Sequence, residues 1–293
     1  MSIQYSGNAQ TSTFTPTTKQ NIIDTIGAAL IAAGWTTASG GSGTTNWMLT
    51  SATTPQGYAI NVRMKDNAGT CVTFSLESTD GVLVGGNSTT VAGGWLIPNA
   101  GYTYRIVCNK YQAFIFATPN LSSVGRAFVA FGVPFLNSWL TSGASRVGWM
   151  QGGGLSDTNT AIGVIFRQSL FSPSSFSVTN QAIYNATIWT VNGAAPGTGT
   201  VAVPSYVATV ANQSATGYRW QNNSALLIDA LIGWGDTAAS AEGKFKGQLW
   251  DAVVSTDVYA GDSTATFDTH NWIAITDNNA NTTGRGTLLI ATS

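Results

Sequence analysis

Apolar positions recur at intervals of three and four in the first part of the chain, at Ile22, Ile23, Ile26 and Leu30, with Lys19, Gln20 and Asp24 off the stripe. That period predicts a helix with one buried face, lying on a sheet. Thr15 suits its N-cap, Pro16 its first helical position and Gly34 its stop. After a Gly/Ser/Thr hinge at 38–45 the period changes to two: Tyr58, Ile60, Val62 and Met64 alternate with Ala59, Asn61, Arg63 and Lys65. This is the pattern of a half-buried strand. A turn at 66–69 leads into a second run with Val72, Phe74 and Leu76 on one face and Thr73, Ser75 and Glu77 on the other. A further strand pair is expected at 102–108 and 111–116, joined near Asn109 and Lys110, where a primed two-residue turn fits.

These elements predict an α+β amino-terminal domain, a helix on an antiparallel sheet, over residues 1–120. Residues 121–149 follow as an aromatic connector broken by Gly132, Pro134 and Gly143. From 150 to 293 short apolar runs alternate with turn clusters, at 161–166, 182–191, 201–210, 224–232, 247–254, 271–276 and 287–291. Most have strand length, which predicts a mainly β, sandwich-like carboxy-terminal domain. Residues 225–232 fit a short helix equally well, since period does not settle a run of that length. No repeat of fixed period emerges, which argues against a solenoid, propeller or fibre shaft.

Composition sharpens this picture. At 293 residues the chain has room for about two domains of roughly 150 residues. Only 9% of its residues are charged, where soluble domains carry about 25%. The 12 basic and 13 acidic residues leave a formal net charge of -1, so no basic excess exists to neutralise nucleic-acid phosphates or an anionic membrane. A hydrophobic fraction of 43% with 10 Trp excludes wholesale disorder. Solubility therefore falls to hydroxyls, amides and 33 glycines, groups that strand no charge when an interface covers them. Such a surface suits either a permanent assembly or an ordinary β-rich protein with many turns. Residues 1–21 lack the basic and apolar regions of a secretory signal, and 22–35 is too short to span a bilayer, so cytosolic synthesis and no membrane insertion are expected. Cys71 and Cys108 stand far apart without a metal-binding spacing and are expected as free thiols, a cross-strand disulfide being the alternative.

Catalytic signatures are sparse. His270 is the one histidine, and the DTHNW segment around it offers no nucleophile motif. One His and two separated Cys do not make a four-ligand zinc site, so no metal and no cofactor are expected. Glycosidase chemistry requires two flanking carboxyl groups; Glu77 and Glu242 are the only glutamates, and Asp251, Asp257, Asp262 and Asp268 read as turn residues rather than as an acid pair or a calcium loop. The glycine runs at 152–154 and 40–43 lack the residues of a phosphate loop. The tryptophans are candidates for sugar stacking or, more simply, for core and interface.

Several stretches resemble a group of structural proteins of tailed bacteriophages, usually described as tail or minor structural proteins. They are AALIAAGWT (28–36), LTSATTPQGYAINVRMKD (49–66), CVTFSL (71–76), PNAGYTYRIVCNKYQAFIF (98–116), AFVAFGVPFL (127–136) and GQLWDAVV (247–254). The resemblance implies a non-enzymatic, tail-associated virion component at the baseplate, tail tip or neck. Its partners would be itself, as a ring or trimer, and other virion proteins. A carbohydrate-binding module that recognises a host-surface glycan and a capsid-associated decoration protein are the alternatives. Phe128, Phe131, Phe135 and Trp139 in the connector, with Tyr5 and Phe14 in a flexible amino-terminal arm, are the expected interface residues, unless the connector instead seals the two domains together.

Overall fold

The computed structural model describes residues 3–7, 9–66, 72–77, 83–85, 95–96, 103–118, 128–136, 147–153, 186–190, 198–200, 227–234, 247–255, 264–275 and 287–292. Along these residues the order is β1 (Gln10–Phe14), α1 (Lys19–Ala32), β2 (Thr36–Ser39), β3 (Asn46–Thr50), β4 (Asn61–Asp66), β5 (Val72–Glu77), β6 (Leu83–Gly85), β7 (Trp95–Leu96), β8 (Thr103–Cys108) and β9 (Gln112–Thr118). Then come β10 (Phe128–Gly132), β11 (Phe135–Leu136), β12 (Val147–Gly153), β13 (Ala186–Thr190), β14 (Thr198–Thr200), β15 (Leu227–Trp234), β16 (Gly247–Ser255), β17 (Thr264–Phe267), β18 (His270–Ile275) and β19 (Thr287–Ala291). The protein is mainly antiparallel β, with one helix among the described residues. None of its described helices is long and apolar enough to cross a membrane.

The helix forms where the apolar stripe places it, but it starts later than Thr15 and Pro16 suggest. Thr18 is the N-cap: it is extended, and its hydroxyl accepts from the Asn21 amide at 3.0 Å. Thr15 instead shares a hydrogen bond with Thr103 on β8 at 3.2 Å, so a tertiary contact takes the group that a cap would need. At the other end Gly34 adopts φ 101°, and Gly34 and Trp35 donate to the carbonyls of Ile31 and Leu30. Those two bonds are the Schellman closure, which satisfies carbonyls that a helix end leaves orphaned.

Ile22, Ile23, Ile26 and Leu30 pack with Leu49, Val62, Met64, Phe74 and Leu76 from one sheet and with Tyr104, Ile106, Ile115, Val129, Phe131 and Val133 from another. The first sheet runs β2-β3-β4-β5-β6, with β7 beside β5. Its Gly/Ser/Thr hinge is the loop of the β2–β3 hairpin, closed by Thr44 and by Asp24, which accepts from the Gly43 amide at 2.8 Å. In the second, thirteen described strands follow β1-β8-β9-β10-β12-β13-β14-β15-β16-β19-β18-β17, with β11 beside β16. Residues 227–232 are strand, so the helical alternative for that run does not occur. The runs at 161–166 and 201–210 lie outside the described residues.

Phe131 corrects an expectation. On β10 it alternates inward with Val129 and is fully buried, stacked against Phe74 at 6.1 Å and edge-on to Trp35 at 5.8 Å. It belongs to the core, because β10 continues the sheet of β8 and β9 instead of exposing an aromatic face. A smaller core forms at the far end of the chain from Val253, Trp272, Ala274, Leu289 and Ala291, against which Ile3, Tyr5 and Phe267 pack.

Candidate functional site

The β8–β9 turn is built by one side chain. Asn109 Oδ1 accepts from the amides of Tyr111 and Gln112 at 2.8 and 2.9 Å, and the Asn109 amide donates to the Gln112 carbonyl. The central residues are thus Lys110 and Tyr111, one position later than expected. Neither is left-handed, so the turn is not a primed one. Asparagine favours this arrangement because its short amide can bond its own backbone two residues on. The turn is also a hub. Its Asn109 carbonyl accepts from Trp35 Nε1 at 2.8 Å, its Lys110 carbonyl from the Ala52 amide at 2.9 Å and its Tyr111 carbonyl from the Val133 amide at 2.9 Å.

Against this hub lies an irregularity of β16. Asp229 of β15 faces Val253, but Leu231 faces Gln248, so residues 249–252 stand opposite Ala230 alone. This bulge turns Trp250 and Asp251 out of the ladder, and Asp251 takes φ 48°. The displaced backbone groups still need partners. Gln112 supplies two: its side-chain amide donates to the Trp250 carbonyl and accepts from the Trp250 amide at 3.2 Å, imitating a neighbouring strand. Gln4 supplies another, its carbonyl accepting from the Asp251 amide at 2.8 Å. Trp250 itself donates from Nε1 to Val133 at 2.8 Å and packs on Tyr111 and Phe135 at 4.2 and 5.3 Å. A Cβ on Gly132 would lie 2.5 Å from the Tyr111 carbonyl oxygen, so the close approach of β10 to the hub requires glycine.

Asp251 closes the junction. It is 2% exposed, and its carboxylate accepts from the Ser6 amide at 2.6 Å, the Ser6 hydroxyl, and Asn109 Nδ2 at 2.7 Å. Burial pushes its pKa up, while the Ser6 and Asn109 bonds and the charge of His270 pull it down; burial prevails. Beside it Tyr5 stacks on His270 at 4.1 Å and 9°, and donates from its hydroxyl to Asp268 at 2.7 Å. Burial, with the Asp268 bond and the negative charges of Asp268 and Asp251, drives the Tyr5 phenol upward. Asp268 and Thr269 form the two-residue turn of the β17–β18 hairpin, at φ 50° and 60°. The left-handed non-glycine residues of the described chain, Asp251, Asp268 and Thr269, therefore all lie at the seat of the amino-terminal arm. Left-handed backbone costs a branched residue roughly 1–2 kcal/mol.

This arrangement fastens the amino-terminal arm to distant strands of the same chain. The Ser6 hydroxyl donates to Asp251, and His270 Nδ1 meets the Asp268 carbonyl at 2.6 Å, so these residues do not form a nucleophile–base relay. Among the described residues no three His, Cys, Asp or Glu side chains converge as a metal site would require. Trp35, Trp47, Trp250 and Trp272 are buried, and each indole N–H has an internal partner: Asn109, Thr37, Val133 and Phe267.

The expected interface residues fall in different places. Tyr5 is half-buried at the junction, and Phe14 is half-buried against Tyr104 at 5.7 Å. Phe135 is half-buried on Trp250, and Phe128 opens β10 opposite Phe116. Phe131 is core, and Trp139 lies outside the described residues, as do Asp257 and Asp262. The arm, expected to be flexible, has residues 3–6 held against the β16–β18 region. Ser6, Asn109, Gln112 and Asp251 escaped the sequence reading as a group. Their trace in the sequence is a polar residue inside an apolar run, Gln112 in YQAFIF and Asp251 in LWDAVV. No family model and no curated protein matches the chain.

Proposed function

We propose that this chain is a non-enzymatic structural component of a tailed-phage particle, tail-associated at the baseplate, tail tip or neck. It acts by assembling with copies of itself, as a ring or trimer, and with other virion proteins. In this reading the α+β amino-terminal unit and the sandwich-like carboxy-terminal unit are joined by the aromatic connector and by the arm.

The observation that carries the reading is the near-absence of charge, 9% of residues, on a chain rich in apolar groups. It extends to the described sheet edges: β1 and β2 expose Gln, Thr, Ser and Ala, without the lysine or proline that usually blunts an edge. A particle component gains from such a surface, since covering it desolvates no ions. Burial of four described indoles with their N–H groups bonded internally takes those four out of sugar stacking. Cryo-electron microscopy of purified particles tests the proposal. Density for this chain at the tail tip, baseplate or neck, with contacts between copies, is the expected result. Absence from the mature particle, or isolated single copies, overturns it.

A further inference from the structure

Residues 3–6 are held by residues far along the chain, and held specifically. Ser6 is read by Asp251 through both amide and hydroxyl, Gln4 by the Asp251 amide, Tyr5 by Asp268 and His270, and Ile3 by the smaller core. Only residues 7–9 join this segment to β1. Gly7 stands at φ 76° with nothing within 4 Å of where a Cβ would be, so the backbone can redirect at Gly7 without a clash. The seat, by contrast, holds left-handed backbone: a bulge, a buried carboxylate and three left-handed non-glycine residues surround it. Strain concentrates where a structure must recognise something.

We propose that residues 3–6 are an exchangeable clasp, and that in the assembled oligomer they seat on the Asp251 bulge of a neighbouring copy of this chain. The inference rests on the self-assembly reading given above and names its contact. The contacts are the same within one chain and between two, so effective concentration and the link decide the outcome. Residues 1–18 carry no Asp, Glu, Lys, Arg or His, so transfer to an identical neighbour moves no charged side chain. Three linking residues reach about 10 Å, which requires the neighbour's bulge to lie close to Gln10. A Gly7→Pro chain, with φ fixed near -65° in place of 76°, cannot make the present turn and is expected to shift toward the exchanged form.

The test is a full-length chain carrying Ser6→Cys and Asp251→Cys with the native Cys71 replaced by Ser, assembled, oxidised and run on a denaturing gel without reductant. Disulfide-linked dimers or ladders are expected. Crosslinks confined within single chains, or no crosslink at all, overturn the proposal. Because loss of Asp251 can impair folding, a second chain keeps it and carries the photocrosslinker p-benzoylphenylalanine in place of Tyr5. After irradiation a dimer joined through the 268–272 peptide supports exchange, and a monomer with an internal link refutes it. Light scattering on the same samples separates the two readings. Oligomers with only internal links refute the clasp exchange alone, whereas a chain that stays monomeric and is absent from particles refutes the assembly role as well.

Discussion

Replacing Asp251 by Asn removes one charge and changes one acceptor into a donor at the centre of the junction. The Asn side chain can keep the Ser6 amide bond through Oδ1. Its Nδ2 then faces Asn109 Nδ2, and Asn109 cannot rotate away, because its Oδ1 is held by the Tyr111 and Gln112 amides. Two donors confront each other in a site that is 2% exposed. A lost hydrogen bond to a charged acceptor plus a stranded donor costs about 2–4 kcal/mol, and relief of carboxylate burial returns part of it, leaving a net loss of about 1–3 kcal/mol. For a chain of this size that lowers the Tm by about 2–5 °C. Thermal and urea unfolding of the variant measure it. The reciprocal variant Asp251→Asn with Asn109→Asp restores an acceptor opposite a donor and is expected to recover much of the loss. An Asp251→Asn protein as stable as the parent, or a double variant no better than the single, would refute the reasoning. The pH profile gives an independent check. Asp251 has a folded pKa above its ordinary 3.8, so the folded state holds the proton more tightly. This group's contribution is fully present below that value and is lost as pH rises through the raised one. The parent should show that decline, and the Asn variant should lack it.

Three further outcomes follow from the geometry. Gly132→Ala places a Cβ 2.5 Å from both the Gln112 Cβ and the Tyr111 carbonyl, so it should destabilise by about 1–3 kcal/mol in denaturant unfolding, and a neutral effect contradicts the close approach. Thr269→Gly releases a branched residue from φ 60° and should stabilise by about 1 kcal/mol; an unchanged or lower Tm counts against strain in that turn. Cys108 lies buried with its thiol toward the Ala29 carbonyl at 3.7 Å, and burial pushes its pKa to about 12. Iodoacetamide at pH 8 should therefore leave the Cys108 peptide unmodified until the protein unfolds, as mass spectrometry would show.

Local periodicity announced the elements whose burial pattern is local. The stripe of α1 is legible because Ile22, Ile23, Ile26 and Leu30 are buried on one face, and in β5 the inward set Val72, Phe74 and Leu76 is buried as its alternation predicts, although Ser75 and Glu77 opposite are buried as well. Where tertiary contacts compete with local signals, the sequence misleads. Thr15 and Pro16 form a good helix start, yet Thr103 claims the Thr15 hydroxyl and the cap passes to Thr18. All four residues of β2 are exposed, so no alternation marks that strand, and β3 behind it went unnoticed with it. Phe131 lay open between interface and packing, because its segment is aromatic and broken by glycine. In fact Gly132 is what lets β10 approach the hub and take Phe131 inside. The junction was least legible of all. Ser6 and Asp251 are 245 positions apart, Gln112 and Trp250 are 138 apart, and no short-range pattern couples them.

That junction is also a costly way to hold an arm. An apolar segment laid on the Val253 and Trp272 core would need no buried carboxylate and no left-handed aspartate or threonine. Such a segment could slide, however, since apolar contacts are non-directional. With Ser6 read at two atoms by one carboxylate, a shift of one residue brings Gly7 or Tyr5 to Asp251 and loses both the Ser6 hydroxyl bond and the Tyr5 stack on His270. Gln4 reinforces the same register through the Asp251 amide. The polar contacts thus define where the arm stops, and the apolar contacts of Ile3 and Tyr5 supply its adhesion. A segment that had only to cover a hydrophobic core would need the second property alone. Having both suits a connection that must form in one register every time, within a chain or between identical copies.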